Sequence, residues 1–230
     1  DETSAVTDAG EYELAAGSRG EILDGLQLED VFMIYKENAI WSMTYVGTPF
    51  IFAFRQISNV GAIAKNCVVE YPGGHAIFGN GDFYTNDGRS IKPILPPKLR
   101  SYVFSTIDGE ALSKSFLVAD YGRSEILFCF SQDGGTTGQP DRAIVWNYNN
   151  NTFTIRNLPG LGHIGYGNIT DPNTLTEWDL ASETWTNVGG PWTMSYPTVE
   201  NVLMFASPEN TKIYRDNSGF KEDTAFMTSF

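Results

Sequence analysis

The chain has 230 residues, 41% hydrophobic and 13% aromatic, which is ample for one globular core or for a chain of sheet units. Its formal net charge is −13, from 28 acidic and 15 basic residues, and no Lys/Arg cluster interrupts that balance. A protein that grips nucleic acid through its phosphates needs a basic face, so the charge argues against a DNA-gripping role, and no run of about 18 apolar residues offers a membrane span. An acidic wall past which DNA slides without sticking is compatible with the charge, as is simple solubility.

Residues 1–20 are polar and read as an N-terminal linker; residues 21–230 read as one β-propeller domain. The start, "DETSAVTDAGEYE", lacks an initiator Met and does not resemble a signal peptide, and the last residues, "AFMTSF", are strand-like. Both ends lead to the expectation of a longer parent protein. "DVFMIYKE" and "AIWSMTYV" predict a hairpin turning at Glu37-Asn38, and "PFIFAFRQI" predicts the next strand. "KNCVVEYPGGHAIFGNGDFYTNDGRSIKPI" predicts three short strands, punctuated by Pro72-Gly73-Gly74 and Gly79-Asn80-Gly81. "SYVFSTI", "SFLVADYG" and "SEILFCFS" read as further strands, and "VENVLMFASPENTKIYRDNSGF" as a last pair. No window carries helical periodicity over three turns; the best helix candidate, "DGEALSKSF", is short.

A hairpin recurs. Tyr84 is followed seven residues later by Ile91, Trp146 by Phe153, and Trp178 by Trp185. The second arm begins with Ser90, Thr152 or Thr184, and the turns are polar. In a looser copy Tyr214 faces Phe220 across Asp216-Asn217-Ser218-Gly219. Such repeats predict an all-β, propeller-like array of antiparallel hairpins and meanders, with the large rings packed between neighbouring sheets. At about 40–45 residues per blade the length suits about five blades. A β-sandwich is the structural alternative.

Motifs for chemistry are sparse. "SQDGGTTG" resembles the Asp-box turn of sialidase-type propellers at Ser131, Asp133, Gly135 and Thr137, with Gly138 where that turn has Trp. In that family the box is a structural turn. The arginines stand in no recognisable sialidase motif. His75 and His163 lie beside glycines, outside any metal-ligand spacing, and read as surface or turn residues. "GLGHIGYG" reads as a loop, because no helix follows to cradle a phosphate. "DGGTTGQPDR", "DPNT" and "NYNNNT" offer oxygens without calcium-site spacing. Cys67 and Cys129 read as buried reduced thiols. No catalytic, cofactor-binding or metal residue is assigned.

The stretch from Asp30 to Thr106 resembles the propeller region of short-tailed bacteriophage tail proteins: the tail nozzle or tail tubular protein and the related head–tail stabilisation protein. Ile34-Tyr35, Ile40-Trp41, Pro49-Phe50, Asn66-Cys67-Val68-Val69, Asp82-Phe83-Tyr84, Asp87-Gly88 and the strand Arg100 to Phe104 fit that pattern. The likeness extends over most of the chain from Leu23. It implies a non-enzymatic virion structural protein, assembled in the host cytoplasm into a homo-oligomeric ring of six copies. The implied ring surrounds the channel below the portal, contacts the portal or adaptor and other tail proteins, and lets double-stranded DNA pass without specific binding. Two other expectations stand beside it. A glycan- or receptor-binding propeller would expose Trp41, Trp178, Trp185 or Trp192 for stacking on sugars, and a sialidase-like hydrolase is the remaining reading.

Overall fold

The computed structural model describes Leu14 and residues 20–48, 50–135, 138–170, 199–209 and 211–216. The chain divides into two compact units, Asp1–Leu158 and Pro159–Phe230. The fold is all-β and propeller-like: a succession of antiparallel meanders in which each strand pairs with its neighbour in sequence. Four such sheets occur among the described residues.

The first sheet is β1 (Ile22–Leu28), β2 (Val31–Lys36), β3 (Ile40–Tyr45) and β4 (Phe52–Ser58). The predicted turn at Glu37-Asn38 is closed by Lys36 N–H donating to the Ala39 carbonyl at 2.9 Å. Alternation gives the sheet two apolar faces. Met33, Tyr35 and Ile40 enter the main core, while Ile34 and Trp41 point the other way, with Leu14, Met43 and Phe54 packed around them.

The second sheet has four strands where three were predicted: β5 (Val68–Tyr71), β6 (Gly74–Phe78), β7 (Phe83–Asn86) and β8 (Ile91–Pro93). The β5–β6 turn depends on Gly74, which has φ +124°. A Cβ there would run into the Asn86 carbonyl across the sheet, so only glycine fits. The expected Tyr84–Ile91 pairing is corrected: Tyr84 faces Pro93, and Ile91 faces Asn86. Asp87 sets this register. Its carboxylate accepts from Arg89 N–H (2.9 Å), Ser90 N–H (2.7 Å) and the Ser90 hydroxyl (2.9 Å), fixing a turn over residues 87–90. Tyr84 lies one step further from that turn than the spacing implied.

The run from Arg100 to Phe104, like "SYVFSTI" as a whole, is not a strand. It belongs to α1 (Pro97–Thr106), capped at one end by Pro96 and Pro97. Proline at the first helical position loses no hydrogen bond and fixes φ where a helix needs it. Arg100 N–H then donates to the Pro96 carbonyl at 2.9 Å. Val103 is fully buried, and Leu99, Tyr102 and Phe104 pack on the core around it. "DGEALSKSF" supplies only a short 3₁₀ turn, Leu112–Lys114.

The third sheet is β9 (Phe116–Asp120), β10 (Glu125–Phe130), β11 (Arg142–Asn147) and β12 (Thr152–Asn157). Trp146 faces Phe153 directly, as the repeat predicted, with ring centroids 6.4 Å apart and planes 16° from parallel. Trp146 Nε1–H donates to Asn151 Oδ1 at 3.0 Å, which ties the polar turn to the ring it flanks. Every residue of β10 after Glu125 is buried, since it is an interior strand with both faces covered.

The three sheets and α1 share one core. Phe83 stacks on Phe128 at 3.9 Å, and Phe78 meets Phe83, Phe104, Phe128 and Phe130 edge-on. Cys67 and Cys129 are buried and free. Burial pushes the Cys67 thiol up to about 12 and raises Cys129 as well, so neither forms a reactive thiolate near neutrality. Ellman's reagent is expected to find no reactive thiol in the native protein and two after denaturation.

In the second unit β13 (His163–Thr170), β14 (Val199–Ser207) and β15 (Lys212–Arg215) form a three-stranded meander. The loop reading of "GLGHIGYG" is corrected: from His163 onward it is strand, paired with β14. Gly167 leaves the space that the Met204 thioether fills. Trp178, Trp185 and Phe220 lie outside the described residues, so the aromatic pairs assigned to them are not described.

Candidate functional site

Polar chemistry inside the first unit gathers in two places. The first joins the first and second sheets. Tyr35 on β2, His75 on β6 and Asn86 on β7 are fully buried. The Tyr35 hydroxyl lies 2.7 Å from His75 Nδ1, Asn86 Nδ2 donates to that hydroxyl at 3.1 Å, and His75 Nε2 lies 3.0 Å from the Gln27 carbonyl. A carbonyl only accepts, so Nε2 carries the proton. Nδ1 is then the acceptor, and the tyrosine donates to it. Asn86 Oδ1 accepts from Gly88 N–H at 3.0 Å and completes the chain. His75 is thus no turn residue: the expectation of a surface histidine is corrected, because its ring bridges two sheets.

Burial sets the charge state of this cluster. Desolvation lowers the His75 pKa below 6.5, against smaller upward contributions from the Gln27 carbonyl and from Glu70 and Asp24. Desolvation likewise raises the Tyr35 phenol. Both groups are neutral at pH 7, and no nucleophile or carboxylate touches them in the hydrogen-bond chain. The arrangement is a buried polar fastener without a reacting centre. The unfolded chain protonates this histidine as pH falls through 6.5 while the folded chain resists, so its stabilising effect is complete above pH 6.5 and declines below. Wild type is expected to lose more urea resistance between pH 7.5 and 5.5 than His75→Phe does. The variant itself starts about 1–3 kcal/mol lower, with the Gln27 carbonyl orphaned.

The second place is Asp82, at the start of β7. Its carboxylate is buried, and Oδ1 accepts from Phe83 N–H at 2.8 Å and Leu95 N–H at 3.3 Å. Oδ2 lies 3.3 Å from Arg100 Nη1 on α1. The aspartate thereby ties the second sheet to the helix. Beside it an open depression of about 580 Å³ is lined by Gly81, Pro97, Arg100, Ser101 and Phe104. Its one charged wall is the guanidinium already committed to Asp82.

The remaining sequence candidates hold structural positions. In the Asp-box-like loop, Asp141 Oδ1 accepts from Gln132 N–H at 2.9 Å, and Asp133 N–H donates to the Thr106 carbonyl at 2.7 Å, which anchors the loop to α1. Thr137 lies outside the described residues. Arg123 pairs with Asp120 at 3.6 Å, and Arg142 Nε donates to Gln132 at 2.8 Å. Among the described residues no group of three or more His, Cys, Asp or Glu side chains could hold a metal ion, and no helix is long and apolar enough to cross a membrane. Trp41 is 4% exposed and Trp146 5%, so neither offers a face to a sugar ring; Trp178, Trp185 and Trp192 lie outside the described residues. The Tyr35–His75–Asn86 bridge and the Asp82–Arg100 tie escaped the sequence reading, since no local spacing rule relates the partners, Tyr35 standing 40 residues from His75 and Asp82 on a different element from Arg100. Both lie within the stretch Asp30 to Thr106 already singled out.

No protein-family model matches the chain, and no curated protein matches it. Among solved structures, the Pan2 WD40 domain of Neurospora crassa is similar at 13% identity and a TM-score of 0.35, over 84% of this chain and 64% of that one. The chain therefore spans less than two thirds of that neighbour.

Proposed function

We propose that the chain is a non-enzymatic structural module of a short-tailed phage virion, part of the tail nozzle or of the head–tail stabilising ring around the DNA channel. The observation that carries the reading is the Asp30–Thr106 pattern. Four of its described polar and special positions have architectural roles in this chain. Tyr35 fastens two sheets, Asn66 takes φ +58° ahead of buried Cys67, Asp82 holds Arg100, and Asp87-Gly88 make the β7–β8 turn. A sequence that spends its distinctive residues on architecture suits a scaffold. The acidic balance suits a conduit wall that repels phosphate. In this reading copies of the chain form a ring, proposed to be a hexamer, against the portal or adaptor.

Quantitative mass spectrometry of purified particles from the phage encoding the chain tests this. Stoichiometric incorporation, with immunogold label at the neck or tail, is the expected result. A chain abundant in the lysate and absent from particles overturns the reading. The glycan-binding and hydrolase alternatives have no observation of their own among the described residues.

A further inference from the structure

The hydrogen-bond chain between the first and second sheets runs in one direction. Gly88 N–H donates to Asn86 Oδ1, Asn86 Nδ2 to the Tyr35 hydroxyl, that hydroxyl to His75 Nδ1, and His75 Nε2 to the Gln27 carbonyl. Four strands, β1, β2, β6 and β7, meet in it. Tyr35, His75 and Asn86 are fully buried, so solvent supplies no substitute partner.

A proton added at Nδ1 has no acceptor waiting. The new N–H and the Tyr35 O–H would face each other across 2.7 Å. The hydroxyl can turn and accept from both nitrogens, but its own hydrogen is then orphaned. Turning the Asn86 amide over rescues that hydrogen and sets Nδ2 against Gly88 N–H. Each arrangement leaves a buried donor unpaired beside a buried cation.

The charged groups around the ring do not remove this cost. Glu70 faces His75 from β5, and Asp24 lies on β1; both favour the cation, and burial outweighs them. Asn86 from β7 and Tyr35 from β2 are neutral. Neighbouring joints carry no titratable group. Leu117 N–H donates to the Asn66 carbonyl at 2.8 Å, and Phe83 stacks on Phe128, which holds the second sheet to the third. The segment between β4 and β5 is held at both ends, with Ala62 N–H on the Lys36 carbonyl at 3.0 Å and Ile63 N–H on the Phe78 carbonyl at 2.8 Å.

We propose that this chain of hydrogen bonds is an acid-released latch: one proton at His75 Nδ1 frees the β1–β2 edge from β6 and β7, hinging on residues 59–67, while the second and third sheets stay joined. The latch stands whether or not the protein belongs to a virion. The open form takes up its proton near the ordinary histidine pKa of about 6.5 and the closed form resists, so opening is favoured as pH falls. Between pH 7.5 and 5.5 the open fraction is expected to rise by up to about tenfold.

Hydrogen–deuterium exchange of the full chain at the two pH values tests this, with rates corrected for the intrinsic pH dependence of amide exchange. Protection over residues 22–36 is expected to fall by up to about tenfold at pH 5.5, and protection over 125–147 to hold. A fall shared by 125–147, or no fall at all, overturns the latch. Asn86→Asp gives the protonated chain what it lacks: Nδ1–H can donate to the Tyr35 oxygen and Tyr35 O–H to the carboxylate, which is also a counter-charge. That variant is expected to abolish the fall, which loss of packing alone would not do. His75→Phe removes the titrating ring and is expected to flatten the profile as well. Wild-type pH dependence retained in either variant contradicts the proposal.

Discussion

Phe128→Ala is expected to lower the unfolding free energy by about 3–5 kcal/mol, the largest effect of any single truncation in this core. Phe128 lies on β10, fully buried, and stacks on Phe83 of the neighbouring sheet at 3.9 Å with planes 5° from parallel. Phe78 meets it edge-on at 6.3 Å. Removing the ring therefore strips the third sheet of its aromatic contacts with Phe78 and Phe83 of the second. The cavity opens between elements held by strand pairing, which limits collapse around it. Urea titration monitored by tryptophan fluorescence checks this. A loss below about 1 kcal/mol would show that the second and third sheets do not share a packed core.

Asp82→Ala is the second large effect, expected to be about 2–4 kcal/mol. The wild-type carboxylate accepts from Phe83 N–H and Leu95 N–H, and alanine leaves both amides unpaired in a buried place. Little of the cost comes from the ion pair, because Arg100 is 58% exposed and solvent screens it. Arg100→Ala should therefore cost much less, roughly 0–1 kcal/mol. Measuring both variants in the same titration separates the two contributions. Equal losses would mean that the ion pair, and not the amide bonds, carries the stabilisation.

The hairpins were legible because their signals are local. Trp146 and Phe153 face each other across a four-residue turn, and the hairpin turn expected at Glu37-Asn38 stands between β2 and β3. Tyr84 shows the limit of spacing. Its turn is also four residues long, but Tyr84 stands three positions before it and Trp146 only two, so equal spacing to the next apolar residue gave unequal registers. The helix hid for a different reason. "PKLRSYVFST" has aromatics at alternate positions, 102 and 104, which imitate a strand, and its first turn has neither acidic residue nor side-chain cap. Only Pro96-Pro97 announced it. In "GLGHIGYG" the last glycine, Gly167, instead makes room on a strand for Met204.

The polar fasteners were illegible in principle. His75 finds Tyr35 40 residues upstream and the Gln27 carbonyl 48 upstream, and Cys67 finds the Ser115 carbonyl 48 downstream. No spacing rule relates them, because topology creates the contact. The exposed tip of the β3–β4 hairpin was hidden too: its apolar run reads as an ordinary core strand, yet Tyr45 and Phe50 are exposed.

Native mass spectrometry of the purified full chain bears most directly on the account, in which this propeller-like protein is a scaffold that assembles with itself. The predicted result is a closed oligomer, about six times the 25.4 kDa chain mass, that persists on dilution to micromolar concentration. A single species at 25.4 kDa at every concentration, with ordinary folding, would contradict it.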